Sequence, residues 1–322
     1  MEYRQLPHTS LNVSRLCFGA MTFGKPADQS AATRMVDVCI GAGINFFDTA
    51  NGYQRGISEE MLGNALAGRR GQNVIATKVF ARMGDGPDDA GLSKAAIVKA
   101  IEMSLKRLRT DYVDIYYLHQ PDYSVPIEES LEAMDALVRA GKVRYPAHSN
   151  YSSWQATELL WTAEKHGWAA PFISQSMYNL LARGLDQEFL PMAKRFGVAT
   201  IAYNPLAGGL LTGKHDAARI AEGTRFADNK MYQDRYWHPE DFAAVDELKS
   251  VAAQAGRSMV SLALTWMLHH TPIDVVLLGA SREPQLMENL KAAEAGPLTA
   301  DVLAACNRVW AKLRGPVPIY NR

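Results

Sequence analysis

The chain has 322 residues, of which 48% are hydrophobic and 21% charged, and its 34 Lys+Arg balance 34 Asp+Glu. That composition is ordinary for a soluble globular protein, and a net charge of zero with no basic cluster argues against nucleic-acid or membrane-surface partners. No apolar run is long enough to span a bilayer, the first residues lack the core of a secretory leader, and Cys17, Cys39 and Cys306 form no CxxC pair, so the chain reads as a cytoplasmic protein with reduced thiols.

In chain order, residues 3–15 alternate weakly around His8-Thr9-Ser10 and predict a small N-terminal hairpin that plugs one end of the fold. Short apolar runs then predict eight strands, at 16–20, 44–47, 73–77, 112–118, 143–147, 172–176, 198–202 and 275–278. Amphipathic spacing predicts helices between them: 94–108, with Ile97, Ile101, Leu105 and Leu108 on one face, then 127–138, 154–165 and 259–269. Ser93 and Ser153 stand where N-caps are wanted. Strands alternating with helices require parallel pairing, and eight such units in one chain predict an α/β fold, a (β/α)8 barrel forming a single domain over residues 1–322. The competing doubly wound sheet usually carries GxGxxG after its first strand, and residues 19–24 have the wrong spacing. The long connection 206–239, rich in Gly, Asn, Arg and Tyr, is of a length that is usually functional or mobile.

In this barrel the C-terminal strand ends build the active site. Those ends read Gly19 and Met21, Asp48, Lys78, His119, Ser149-Asn150, Gln175, Tyr203-Asn204, and Gly279 to Ser281. Each has a bland explanation: Asp48 a helix cap, His119 a satisfied semi-buried histidine, Tyr53 a rim aromatic. Lys78 is harder to dismiss, because a lysine in an apolar strand needs a partner. Together the four side chains Asp48, Tyr53, Lys78 and His119 suit carbonyl reduction. A hydride delivered to a carbonyl carbon leaves an oxyanion that must be protonated, and a tyrosine with a reference pKa of about 10 is a poor donor unless an ammonium stabilises its phenolate. Lys78 would supply that ammonium, Asp48 would hold it, and His119 would orient the carbonyl oxygen.

These residues stand in stretches that resemble the aldo-keto reductases over essentially the whole length. The stretches are Asp48-Thr49-Ala50-x-x-Tyr53, Thr77-Lys78, Leu118-His119-x-Pro121, residues 141–145, Ser149-Asn150, residues 205–214, and Gly279-Ala280-Ser281-Arg282-x-x-Gln285-x-x-Glu288-Asn289. The resemblance implies a catalytic tetrad of Asp48, Tyr53, Lys78 and His119, and NADPH/NADP+ as cofactor. It implies that Ser149, Asn150 and Gln175 hold the nicotinamide carboxamide and that Tyr203 stacks on the ring. Asn204, Pro205, Leu206, Gly208 and Lys214 would wrap the pyrophosphate, and Ser281, Arg282, Gln285, Glu288 and Asn289 would hold the adenosine end. Gly19, Met21, Gly279 and Arg225 complete the expected cofactor contacts. A guanidinium at Arg282 suits a 2′-phosphate, although a solvated surface charge is the plain alternative.

Residues 203–205 and 223–226, with Asn229, Tyr232, Arg235, Tyr236, Trp237 and the ending Tyr320-Asn321-Arg322, look like the aflatoxin-aldehyde and succinic-semialdehyde reductase branch. That likeness implies that Arg225, Arg235 or Arg322 receives a substrate carboxylate. Pro146 and His148 depart from the pattern before Ser149-Asn150, where small or apolar residues are usual, and Pro146 removes a ladder donor from a central strand. The expected ligand is thus a small-molecule carbonyl, with no metal, because the histidines lack HxxxH or HxH spacing. Two other classes fit parts of the same sequence. One is an NADPH-binding partner protein like the potassium-channel β-subunits, for which the chain shows no additional N-terminal segment. The other is a Schiff-base lyase using neutral Lys78. The sequence is also compatible with a homo-oligomer.

Overall fold

A computed structural model describes residues 1–227 and 229–317. Its elements are β1 (Tyr3–Gln5), β2 (Asn12–Ser14), β3 (Leu16–Gly19), α1 (Gln29–Gly41), β4 (Phe46–Asp48), α2 (Ile57–Ala65), β5 (Val74–Val79), α3 (Lys94–Leu108), β6 (Val113–Leu118), α4 (Ile127–Arg139), β7 (Val143–Ser149), α5 (Ser153–His166), β8 (Ile173–Met177), α6 (Phe189–Phe196), β9 (Ala199–Tyr203), α7 (Lys230–Tyr236), α8 (Pro239–Gln254), α9 (Met259–His270), β10 (Val275–Gly279), α10 (Glu283–Ala293) and α11 (Ala300–Arg314). Strands β3 to β10 close into a barrel in the order β10-β3-β4-β5-β6-β7-β8-β9, with parallel register throughout the paired residues. β1 and β2 form a separate antiparallel hairpin with Tyr3 opposite Ser14. The architecture is a (β/α)8 barrel with an N-terminal hairpin.

The barrel interior explains itself by strand alternation. The buried cluster takes Cys17 from β3, Phe46 from β4, Val74 and Ala76 from β5, Ile115 and Tyr117 from β6, Ala147 from β7, Ile173 from β8, Ala199 and Ile201 from β9, and Val275 from β10. Leu6, Leu11 and Val13 of the hairpin join the same cluster, so the hairpin closes the end where the strands begin, as its alternation predicts. Residues of the other parity turn outward. Pro146 is buried in β7 opposite Tyr116, and His148 beside it is fully buried with its ring edge-on to Tyr151.

The chain forms two compact units, Met1–Ser176 with Asp186–Tyr203 and Ile273–Met287, and Met177–Leu185 with Asn204–Pro272 and residues 288–317. Within the second, α8 packs on α11, and α9 and α7 each pack on the turn Ala207–Thr212. There the Arg183 guanidinium lies 4.3 Å from the Trp266 ring, and Trp237 packs between Phe226 and Phe242 at 4.8 and 4.9 Å.

Helix α3 has the predicted bounds and the predicted cap, the Ser93 hydroxyl accepting the Ala96 N–H at 3.2 Å. The cap of α5 is Ser152 instead of Ser153, because Gln155 folds back to accept from both the Ser152 N–H and its hydroxyl at 2.9 Å. Strand β5 runs through Val79 and β4 through Asp48, beyond the apolar runs that predicted them, so Lys78 and Asp48 lie inside strands. Residues 206–239, predicted as a connection, hold α7; Asn229 caps it and Tyr232 and Tyr236 are its buried face.

His148 generates a prediction about acid stability. Its Nδ1 lies 3.2 Å from the Pro171 carbonyl, an acceptor, so Nδ1 carries the proton, while Nε2 has no hydrogen-bond partner among the described residues. Burial pushes this imidazole down to about 4. An unfolded histidine protonates near 6.5, so His148 contributes stability that is complete above that value and is lost as the pH falls towards 4. His148→Phe is expected to flatten the urea-denaturation stability between pH 6.5 and 4 by up to about 3 kcal/mol relative to the parent. Parallel curves for the two proteins would contradict it.

Candidate active site

The polar residues expected at the strand ends prove to be the next inward positions after the apolar core. Each lies two residues beyond a core residue: Gly19 after Cys17, Asp48 after Phe46, Lys78 after Ala76, His119 after Tyr117, Ser149 after Ala147, Gln175 after Ile173, Tyr203 after Ile201 and Gly279 after Leu277. Strand period alone therefore converges them on the interior at one end of the barrel.

Lys78 is at their centre and is 0% exposed. Its ammonium bonds Asp48 Oδ1, donates to the Thr49 carbonyl at 2.8 Å, and lies 3.3 Å from Tyr53 Oη. Three donors thus meet three oxygens, which is the condition for burying an ammonium. Burial works against the charge on Lys78, but Asp48 outweighs it and holds the lysine above its ordinary value. Burial likewise lifts the Asp48 carboxyl above the usual range, against the opposing pull of Lys78 and of a hydrogen bond from Gln175 Nε2 at 2.9 Å to Oδ2.

Tyr53 and His119 complete the group, with ring centroids 5.9 Å apart and edge-to-face. Burial, aided by the Lys78 charge, pushes His119 down to about 3, so its imidazole is neutral at physiological pH. Tyr116 and Tyr117 are pushed well above the ordinary phenol by burial, and so remain protonated and inert.

Beside this group, Asn150 takes a left-handed backbone with φ 64°. Its Nδ2 donates to the His119 carbonyl at 2.8 Å and to Ser149 Oγ at 3.1 Å, while Oδ1 accepts from Tyr203 Oη at 2.7 Å. Ser149, Asn150, Tyr203 and His119 are thus linked, and Gln175 joins them through its carbonyl, which accepts from the Asn150 N–H at 3.1 Å. Elsewhere in the same unit, Gln285 Oε1 accepts from the Ser281 N–H and hydroxyl at 3.0 Å, and Arg282 next to them is exposed. Met21 is half-buried beyond β3, and a Cβ at Gly19 would meet Leu277 at 2.6 Å.

The remaining expected residues belong to the second unit. Gly208 and Gly209 have φ of 70° and 112°, and a Cβ at Gly208 would lie 2.7 Å from the Tyr232 ring. Asn204 is buried and its Oδ1 accepts from Tyr232 Oη at 3.3 Å, while its Nδ2 has no partner among the described residues. Pro205 and Leu206 are buried beside it. The guanidiniums of Arg225 and Arg235 lie 5.3 and 6.0 Å from the Tyr232 ring. Lys214 is exposed, 3.8 Å from Glu288, and Asn289 is buried. Arg322 lies outside the described residues.

Sequence reading missed the Thr49 carbonyl, because a backbone acceptor has no side-chain signature. It also missed Glu59, fully buried and bonded to Thr77 and Arg107. An acidic residue in a first helical turn reads as a dipole partner at the surface.

The Lys78–Asp48 pair predicts a large cost for breaking it from one side. Lys78→Met strands a buried carboxylate and is expected to lose about 3–5 kcal/mol at neutral pH in chemical denaturation. Adding Asp48→Asn should restore much of that loss. A double variant as unstable as the sum of the singles would show that the two charges are not coupled.

The model of the family described as "Aldo/keto reductase family" matches residues 15–311. The chain is 38% identical over 305 residues to a probable voltage-gated potassium channel subunit beta of Oryza sativa subsp. japonica, covering 92% of this chain and 93% of that one. It is 37% identical over 319 residues to aflatoxin B1 aldehyde reductase member 2 of Rattus norvegicus, covering 94% and 86% respectively, and 36% identical over 322 residues to aldo-keto reductase family 7 member A3 of Homo sapiens, covering 94% and 96%. The chain belongs to the aldo/keto reductase family of oxidoreductases.

Proposed function

We propose that the chain reduces an aldehyde or ketone to an alcohol with NADPH, Tyr53 giving the proton. The observation that carries this reading is the buried Lys78 ammonium bonded to Asp48 and 3.3 Å from the Tyr53 hydroxyl. Bound NADPH supplies the hydride to the carbonyl carbon. Tyr53 Oη donates to the carbonyl oxygen as negative charge grows there, and the Lys78 ammonium stabilises the phenolate left behind. Asp48 keeps Lys78 charged and in place. His119, neutral, offers one ring N–H to orient the carbonyl oxygen without competing for the transferred proton. A lysine held charged by Asp48 is a poor amine nucleophile, which weighs against Schiff-base chemistry.

The residues present suit this cofactor. The linked amides and hydroxyls of Ser149, Asn150 and Tyr203, with Gln175, match a nicotinamide carboxamide in donors and acceptors. Exposed Arg282, with Ser281 and Gln285 at the start of α10, suits a phosphate monoester and favours NADPH over NADH. In the second unit, the left-handed Gly208 and Gly209 permit close backbone approach, and the two guanidiniums over Tyr232, Arg225 and Arg235, suit an anion such as a substrate carboxylate.

A second reading, an NADPH-binding partner subunit, is favoured by the Oryza sativa relative named as a probable voltage-gated potassium channel subunit beta, 38% identical. No helix of the described residues is long and apolar enough to cross a membrane.

The discriminating experiment follows NADPH absorbance against a panel of aldehydes that includes succinic semialdehyde and an aromatic aldehyde. Aldehyde-dependent consumption is expected, and Tyr53→Phe should lower kcat by at least ~100-fold while retaining cofactor binding by fluorescence titration. Wild-type turnover in Tyr53→Phe would contradict the mechanism. No consumption by folded, NADPH-bound protein would favour the partner-subunit reading.

A further inference from the structure

The side of β5 opposite Lys78 carries a second buried charge cluster that the proposed chemistry leaves unused. Thr77 points outward from the barrel, and its hydroxyl donates to Glu59 Oε1 at 2.5 Å. The other carboxylate oxygen accepts from Arg107 Nε at 2.6 Å, and Arg107 also reaches Ser104 Oγ at 3.4 Å. Glu59 is 0% exposed. It stands in the first turn of α2, Thr77 on β5 and Arg107 on α3, so one carboxylate ties three elements together.

What lies between Tyr53 and Glu59 shows why that tie matters. Gln54 has φ 49° and ψ 38°, Arg55 φ 54° and ψ 42°, and Gly56 φ 92°. Three successive left-handed residues, two of them bearing side chains, make a turn that its own sequence does not favour; such backbone persists where its surroundings over-determine it. The surroundings here are Ser58, whose hydroxyl donates to the Ala20 carbonyl at 2.7 Å and meets Thr49 Oγ1 at 2.8 Å, and the Glu59 cluster. Arg107 packs directly under the turn. A Cβ at Gly56 would lie 2.7 Å from its Nε, so only glycine fits there.

We propose that Glu59, clamped by Arg107 and Thr77, is a positioning residue: it fixes the start of α2 against β5 and thereby sets the distance from Tyr53 Oη to Lys78 Nζ. The inference rests on the proton-donor reading of Tyr53. Replacing a buried ion pair by apolar residues is often neutral for stability, and in some proteins such pairs are kept because their directed hydrogen bonds fix a geometry; the Glu59 cluster is proposed to be of that kind. Glu59 Oε1 and Oε2 are each committed to a different element, so neither can be lost without freeing one side of the clamp.

The test compares Glu59→Gln, Thr77→Val, Arg107→Lys and Arg107→Met in the full chain, measuring kcat, substrate KM and NADPH binding separately. Displacing reacting groups by about 1 Å can cost ~100-fold, so Glu59→Gln is expected to lower kcat at least ~10-fold with NADPH affinity unchanged. Thr77→Val, which keeps the shape and removes only the strand-side bond, should show a smaller loss of the same kind. Arg107→Lys, which keeps the charge, should recover more activity than Arg107→Met. If Glu59→Gln fails to fold, Thr77→Val decides: wild-type kcat in that variant overturns the proposal, as does wild-type kcat in folded Glu59→Gln. Equal losses in kcat and cofactor affinity would also overturn it, since they report general loosening. Tyr53→Phe run alongside separates the two levels. If it is inactive while the Glu59 variants are normal, only the clamp is wrong; if it is fully active, the proton-donor reading itself fails.

Discussion

An ammonium inside a barrel is the constraint around which this structure is arranged. Lys78 continues the inward face of β5, where every earlier inward residue is apolar, and it is fully buried. Without partners, its desolvation would strip the proton or unfold the strand. Asp48 from β4 and the Thr49 carbonyl supply the compensating oxygens, and Gln175 from β8 satisfies the second carboxylate oxygen. Three different strands are therefore tied to one charge. The same charge reaches outward: it lies within hydrogen-bonding range of Tyr53, and it adds to burial in keeping His119 neutral. The proposed carbonyl reduction rests on that juxtaposition of a cation, a tyrosine next to it and an uncharged histidine.

Much of this was legible in the sequence because strand alternation is a strong rule. The barrel follows from eight apolar runs separated by helix-length segments, and the convergence of Asp48, Lys78, His119, Ser149, Gln175 and Tyr203 follows from reading two residues past each core position. The strand ends were less legible. The apolar runs predicted 73–77 and 44–47, whereas β5 and β4 continue through Val79 and Asp48. Hydrophobicity stops marking a strand where its inward face turns polar, and a functional rim is where that happens. Helix α7 escaped for a related reason: its buried face is made of Tyr232 and Tyr236 within a polar, glycine-rich stretch.

The least legible feature is what stands behind the site. Glu59 and Arg107 are separated widely in sequence, and each has an ordinary surface explanation on its own helix; only the fold brings them together beneath the strained turn that follows Tyr53. Likewise Pro146 and His148, the departures before Ser149-Asn150, are explained by parity. Both face away from the barrel interior, so the unusual residues sit behind the strand while Ser149 faces inward and Asn150 reaches it through a left-handed backbone.

The most direct measurement of the central claim is a double-mutant cycle on kcat for aldehyde reduction with Tyr53→Phe and Lys78→Met. If Lys78 acts through Tyr53, the two side chains work as one unit, and the double variant should be no slower than the slower single variant. Strictly additive losses, with each substitution costing as much in the presence of the other as alone, would contradict the coupling and leave Lys78 a structural charge with no part in proton delivery.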